Sequence, residues 1–235
     1  QHGDELVSRL REHIPQLKSV EKNIQHARTN VVMGKENRTL WGDDTITDTI
    51  DGIAFAISPQ SFYQVNPRQT EMLYRETLRA AELSGKETVI DAYCGIGTIS
   101  LFLARHARQV LGVEVVDEAI RDAKRNARLN GIDNVQFAVG KAEDVMPWWY
   151  AQGVRPDVIV VDPPRKGCDQ RLLDSIVDMQ PNRVVYVSCN PSTLARDLRY
   201  LTERGFAVKE VQPVDMFPQT SHVESITTIC REYTP

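Results

Sequence analysis

No stretch of this 235-residue sequence is apolar for long enough to cross a membrane. Residues 1–20 are too polar and charged to act as a secretory signal. Cysteine is scarce: the four, at positions 94, 168, 189 and 230, are far apart. They form no CxxC pair and no zinc or iron–sulfur spacing, which excludes a recognisable metal site. They are expected to be reduced thiols of a cytoplasmic protein. Excess positive charge is also missing. A net charge of −4 argues against gripping nucleic acid by bulk electrostatics, and leaves room for a local basic face or for a fragment whose main nucleic-acid-binding module lies elsewhere. There is no internal repeat and no low-complexity stretch. An initiator methionine is absent too. Gln1-His2-Gly3 runs straight into a helical pattern, so the chain is expected to be part of a longer protein.

What is present falls into two regions. Residues 1–66 read as part of a small, mostly β subdomain. A short helix at 5–13 precedes strand-like segments at 17–24, 38–41, 45–50 and 53–58, punctuated by Gly42-Asp43 and Asp51-Gly52. From Asn66-Pro67 onward, residues 67–235 alternate. A helix at 67–84 leads to strands at 88–92, 109–115, 134–139, 157–161 and 183–188. Helices are expected at 98–107, 117–130, 169–179 and 191–204. This pattern predicts an α/β, Rossmann-like, doubly wound and mostly parallel sheet. Segments 206–213 and 223–231 are joined without a helix, so the sheet should end in an antiparallel hairpin.

Chemistry is expected at the carboxyl ends of those strands. The run Val89-Ile-Asp-Ala-Tyr-Cys-Gly-Ile-Gly-Thr98 is a strand, a glycine turn and a helix start. Gly95 and Gly97 would let the backbone approach a ligand closely. The third glycine of the dinucleotide fingerprint is replaced by Ser100. An acid, Glu114, ends the next strand about 20 residues on, where a carboxylate can take ribose hydroxyls. Any βαβ turn favours glycine, and NAD shares these features. The lost third glycine and the acid before the loop favour S-adenosyl-L-methionine (SAM), which has no pyrophosphate.

Asp162-Pro-Pro-Arg-Lys-Gly167 follows the next buried strand. Its prolines fix an extended turn that aims Asp162 into the crevice, with Arg165 and Lys166 suited to phosphates. Such an element also occurs in methyltransferases acting on amines, and a helix-capping turn with a basic tip would look the same. Cys189, in Val185-Tyr-Val-Ser-Cys-Asn-Pro191, separates the options. Amine methylation needs no covalent nucleophile, whereas C5 of a pyrimidine is made nucleophilic by a thiolate adding at C6. A buried strand-end cysteine is the competing reading, and Cys94 and Cys168 compete as the thiol. Glu224, in His222-Val-Glu-Ser225, opens the last strand. In a hairpin topology it comes beside Cys189, where a carboxylate could take the C5 proton. His222 reads as a turn residue, and Arg196 as a candidate to activate Cys189 or contact phosphate.

Together these pieces resemble the RNA uracil-C5 methyltransferases. The stretches that carry the resemblance are 57–66 (Ile-Ser-Pro-Gln-Ser-Phe-Tyr-Gln-Val-Asn), 91–98, 162–167, 188–197 and 217–224. The resemblance implies Cys189 as nucleophile and Glu224 as proton acceptor. It places Gln64, Tyr93, Glu114 and Asp162 around SAM and uracil, with Gly95, Gly97 and Thr98 also at the cofactor. Thr98 stands where the family often has Asn. It further implies SAM turned over to S-adenosyl-L-homocysteine, 5-methyluridine as product and RNA as partner. The wording of residues 93–98 is most similar to the branch that acts on 23S rRNA. A tRNA substrate, amine-directed methylation, and a non-catalytic SAM- or RNA-binding module are the alternatives. The family's small β-barrel RNA-binding domain and occasional iron–sulfur cluster have no counterpart in these residues.

Overall fold

The structure, a computed structural model, describes residues 3–26, 33–34 and 36–232. Gln1 and His2, where the sequence begins without methionine, lie outside the described residues. Helix α1 (Gly3–His13) precedes an antiparallel pair, β1 (Ser19–Ile24) and β2 (Glu36–Gly42). A second antiparallel pair, β3 (Ile46–Ile50) and β4 (Ile53–Ile57), turns through Asp51 (φ 49°) and Gly52 (φ 74°). Positive φ at both turn positions matches the right-handed twist of a tight hairpin.

Then follow α2 (Pro67–Ala81), β5 (Thr88–Ala92), α3 (Thr98–Ala104), β6 (Gln109–Glu114), α4 (Asp117–Leu129) and β7 (Val135–Val139). The chain continues with α5 (Ala142–Ala151), β8 (Val158–Val161), α6 (Gln170–Met179), β9 (Arg183–Ser188), α7 (Pro191–Thr202), β10 (Phe206–Val214) and β11 (Glu224–Arg231). Strands β5 to β11 form one seven-stranded sheet in the order β10-β11-β9-β8-β5-β6-β7. Five of its strands run parallel, and β11 is inserted antiparallel between β9 and β10. This is the doubly wound plan with a terminal hairpin that the alternation predicts.

Strand periodicity sorts the core into two faces. Val89, Val110, Val158, Val160, Val185 and Val187 pack with α2, α3 and the β3–β4 hairpin. Ile90, Leu111, Ile159, Val161, Val184 and Tyr186 pack with α5, α6 and α7. Helix α5 is the element that the sequence pattern does not announce. Pro147 stands inside it and Trp148-Trp149-Tyr150 blur the apolar stripe, so the 3.6-residue period is hidden. Two helices end three residues earlier than expected. Glu82 takes a left-handed conformation (φ 48°) and closes α2. Asn134 Nδ2 donates to the carbonyls of Ala104 (2.8 Å) and Ala107 (3.0 Å), which satisfies the end of α3 from a neighbouring loop.

The β3–β4 hairpin is docked by two asparagines of α4. Asn126 Oδ1 accepts from Ala56 N at 2.8 Å, and its Nδ2 donates to Ile96 O at 3.2 Å. Asn130 pairs with both the N–H and the carbonyl of Ala54. The following strap is pinned at Ser61, whose hydroxyl donates to Asp122 at 2.7 Å. It is pinned again at Asn66, whose amide donates to Met216 O at 3.1 Å. The strap between these anchors is thereby held across the carboxyl ends of the strands.

Candidate functional site

Strand order reverses between β5 and β8, since β6 lies on one side of the pair and β9 on the other. Open sheets leave a crevice there, outside the carboxyl ends. This sheet has a cleft of about 710 Å³ at that place. Tyr93 and Gly95 enter it after β5, Glu114 ends β6, Asp162 follows β8, Cys189 follows β9, and Glu224 begins β11. Gln64 comes from the strap. Seven of the nine residues that the resemblance places at the site thus line one cavity.

Gly97 and Thr98 do not line it. Gly97 caps α3 at φ 81°, and a Cβ there would come within 3.0 Å of the Phe137 ring and 3.3 Å of Ala123. Its glycine is required by the turn and by packing. Gly95 also has positive φ (54°), but a Cβ would meet nothing within 4 Å, so its backbone faces open space. Thr98 lines a smaller side cavity of about 60 Å³, together with Asp91, Tyr74 and Asp162.

Sheet register brings the distant residues together. Ser225 pairs with Ser188, so Glu224 and Cys189 sit one step beyond that pair on neighbouring strands. Asp162 N donates to Ala92 O at 3.4 Å, which sets the Asp-Pro-Pro turn beside the glycine turn. Glu114 accepts from Gly95 N (3.3 Å) and Val116 N (2.9 Å), which fixes its carboxylate at the mouth.

The acids and the thiol share a partly buried corner. Burial pushes the half-buried Asp162 carboxyl up to about 8, and Glu224 and Asp91 raise it further. Burial also raises Glu224, which is 5% exposed. The half-buried Cys189 thiol is raised by burial, then by Glu224 and Asp162, and is pulled down by Arg165. Asp91 is fully buried and pushed up to about 7 by burial, although Ser100 Oγ donates to it at 2.5 Å.

The other cysteines are separated from the cleft. Cys94 is buried beneath Gly112, and burial drives its thiol well upward. Cys168 is buried and pushed up to about 12, again by burial first. Cys230 lies at the far end of β11. His222 is exposed in the turn, its ring edge-on to Phe217. Arg196 does not face Cys189: its Nε donates to Asp197 Oδ1 at 2.8 Å and its Nη2 to Lys166 O at 3.0 Å. The charge of Arg165, rather than that of Arg196, pulls the Cys189 thiol down.

Sequence reasoning missed a wall of the cleft, Gly140-Lys141-Ala142-Glu143, at the start of α5. Its signal was a glycine after a β-strand, which loses its meaning once the following helix is overlooked. Phe62, 76% exposed at the rim, was equally silent.

A family model described as tRNA (uracil-5-)-methyltransferase matches residues 11–232. An uncharacterized RNA methyltransferase of Halalkalibacterium halodurans is 64% identical over 228 residues, covering 97% of this chain and 50% of that protein. Another, of Oceanobacillus iheyensis, is 58% identical and covers 96% of this chain and 49% of that protein. The chain therefore spans about half the length of the curated relatives it matches. Among solved structures, the Pyrococcus abyssi tRNA (uracil-54, C5)-methyltransferase in complex with S-adenosyl-L-homocysteine superposes with a TM-score of 0.78 at 30% identity. That match covers 93% of this chain and 52% of the other. Trm5b of the same organism shares the fold, at 16% identity and a TM-score of 0.67. A match running almost from end to end, on a sheet of this order, leads to one assignment: the chain belongs to the tRNA (uracil-5-)-methyltransferase family.

Proposed function

We propose that the chain is the catalytic part of a SAM-dependent RNA methyltransferase that makes 5-methyluridine through a covalent cysteine adduct, with 23S rRNA as the expected substrate. Residues 67–235 are read as the catalytic domain, and residues 1–66 as part of a small β subdomain whose strap hands Gln64 to the cleft. The observation that carries the reading is the meeting of Cys189, Glu224 and Asp162 in one cleft, from three different strands.

The residues fit the cofactor. The cleft is of the size that holds a small ligand. It offers open backbone at Gly95 and a fixed carboxylate at Glu114 for ribose hydroxyls. Val115, 59% exposed beside Glu114, offers an apolar surface for a purine. When bound there, SAM supplies an electrophilic methyl group on a sulfonium.

The protein's own groups do the rest. The Cys189 thiol loses its proton to solvent through the open cleft. The thiolate then adds to C6 of a uracil flipped out of its RNA, forming a C–S bond and moving the ring electrons to C5 and O4. Asp162, held protonated near neutral pH, or nearby donors would hold the uracil edge and the developing O4 charge. C5 takes the methyl group. Glu224, as carboxylate, then accepts the C5 proton; the C5=C6 double bond reforms and the Cys189 sulfur leaves.

The test uses RNA bearing 5-fluorouracil. Fluorine at C5 cannot leave as a cation, so the methylated adduct should remain attached to Cys189 and be mapped there by mass spectrometry. Glu224→Gln should trap ordinary RNA in the same way, and Cys189→Ala should trap neither while still binding S-adenosyl-L-homocysteine. A Cys189→Ala protein that still makes 5-methyluridine would end the covalent reading and favour amine-type use of Asp162. Transcripts of 23S rRNA and of tRNA, compared side by side, decide the substrate.

A further inference from the structure

The turn after β8 is held by its backbone and presents its side chains outward. Arg165 O accepts from Asn190 Nδ2 at 3.0 Å and from Thr193 Oγ1 at 3.2 Å. Lys166 O accepts from Arg196 Nη2 at 3.0 Å, and Cys168 N donates to Asp197 Oδ2 at 2.8 Å. Asp197 is fully buried and also accepts from Tyr186 Oη at 2.7 Å. Between them, Gly167 (φ +79°) presses so closely on α7 that a Cβ would lie 2.6 Å from Arg196 Nη2 and 2.7 Å from Asp197 Oδ2. Pro163 and Pro164 restrict the other side of the turn.

What projects from this rigid turn is a pair of cations. The side chains of Arg165 and Lys166 are exposed and line the mouth of the cleft that holds Cys189. Neither makes an ion pair with a described residue, whereas Arg75, Arg79, Arg121, Arg125 and Arg171 are each paired with a carboxylate. In a chain of net charge −4, two unpaired cations on a fixed turn form a local anion site. A base that reaches Cys189 must leave its phosphates at this mouth.

We propose that Arg165 and Lys166 bind the RNA phosphodiester beside the nucleotide whose base enters the cleft, and that Asp197 acts as the positioning residue that holds their turn against α7. The assignment rests on the reading of the site as an RNA methyltransferase. Rigidity matters here because a pre-ordered cation loses less freedom when the phosphate arrives.

The experiment measures binding of a 23S rRNA transcript to the full-length protein across a salt series, for wild type, Arg165→Ala, Lys166→Ala and Arg165→Lys. Calorimetry with S-adenosyl-L-homocysteine is run alongside as the check on folding. Each alanine variant should weaken RNA binding about tenfold at low salt and flatten the slope of log affinity against log salt by about 0.7 for each phosphate no longer neutralised. Arg165→Lys should keep most of the slope, and S-adenosyl-L-homocysteine affinity should not change. Asp197→Asn should flatten the slope in the same direction although it touches no RNA. Unchanged slopes in the alanine variants, or a parallel fall in S-adenosyl-L-homocysteine affinity, would overturn the phosphate site. If slopes change as expected but wild type methylates no uridine in either 23S rRNA or tRNA transcripts, the phosphate site stands and the functional reading falls.

Discussion

At the scale of single residues the site is governed by charge in a partly dry corner. Glu224 and Asp162 raise the Cys189 thiol and Arg165 lowers it, which fixes the direction of two variants. Glu224→Gln removes a negative neighbour, so the thiolate should form at lower pH. Arg165→Ala removes the cation, so it should form at higher pH. The pH dependence of Cys189 carbamidomethylation by iodoacetamide, followed on the tryptic peptide, measures both. Asp162 acts in the opposite sense. On the proposed mechanism it donates only while protonated, so kcat/KM should fall as pH rises through about 8. Asp162→Asn should flatten that falling limb and, by removing a negative neighbour, move the rise from Cys189 to lower pH. Glu114→Ala should weaken S-adenosyl-L-homocysteine about 10- to 100-fold by calorimetry, the range for losing a charged hydrogen-bond acceptor. Unchanged affinity would move the ribose away from Glu114.

Elements decide how much of this was readable in advance. The parallel strands carry continuous apolar runs, and their periodicity is plain in the sequence. Once β9 and the final strand are recognised as neighbours, the meeting of Cys189 and Glu224 follows from topology alone. Side-chain bonds that cross between elements leave no such trace. Arg196 looked like an active-site cation because it lies just after Cys189 in sequence, yet its side chain turns back to Asp197 and the β8 turn. Gly97 shows that glycine serves two purposes: the sequence suggests a ligand contact, and the fold adds close packing against Phe137 that the sequence does not reveal. Helix α5 was hidden by Pro147, and the cleft wall at its start with it. Asn126 is another silent contributor. Replacing it with Leu would leave Ala56 N and Ile96 O without their partner. The expected cost is about 1–3 kcal/mol per stranded buried group. Thermal unfolding and S-adenosyl-L-homocysteine affinity should both suffer, because the same amide joins the hairpin to the glycine turn.

Across the whole molecule, buried acid shapes the response to pH. Asp91 is raised in the fold to about 7 from an ordinary value near 3.8. Its contribution to stability is complete below the unfolded value and is lost as pH climbs toward 7, because the folded state must then bury a charge. Asp91→Asn should therefore gain most in melting temperature, relative to wild type, at pH 8 and least at pH 4. The same net charge of −4 predicts that residues 1–235 alone hold long RNA weakly; tight, strongly salt-dependent binding by this piece would contradict that. The order of the sheet has a further consequence for synthesis. Strand β11 comes last in the chain but sits inside the sheet, between β9 and β10. A nascent chain that has emerged only as far as β10 carries Cys189 and the glycine turn but lacks Glu224, the proposed proton acceptor, and β9 still presents an unpaired edge. Translation must pass residue 224 before the proposed proton acceptor exists, so completion of the proposed site and closure of the β9 edge arrive in the same folding step.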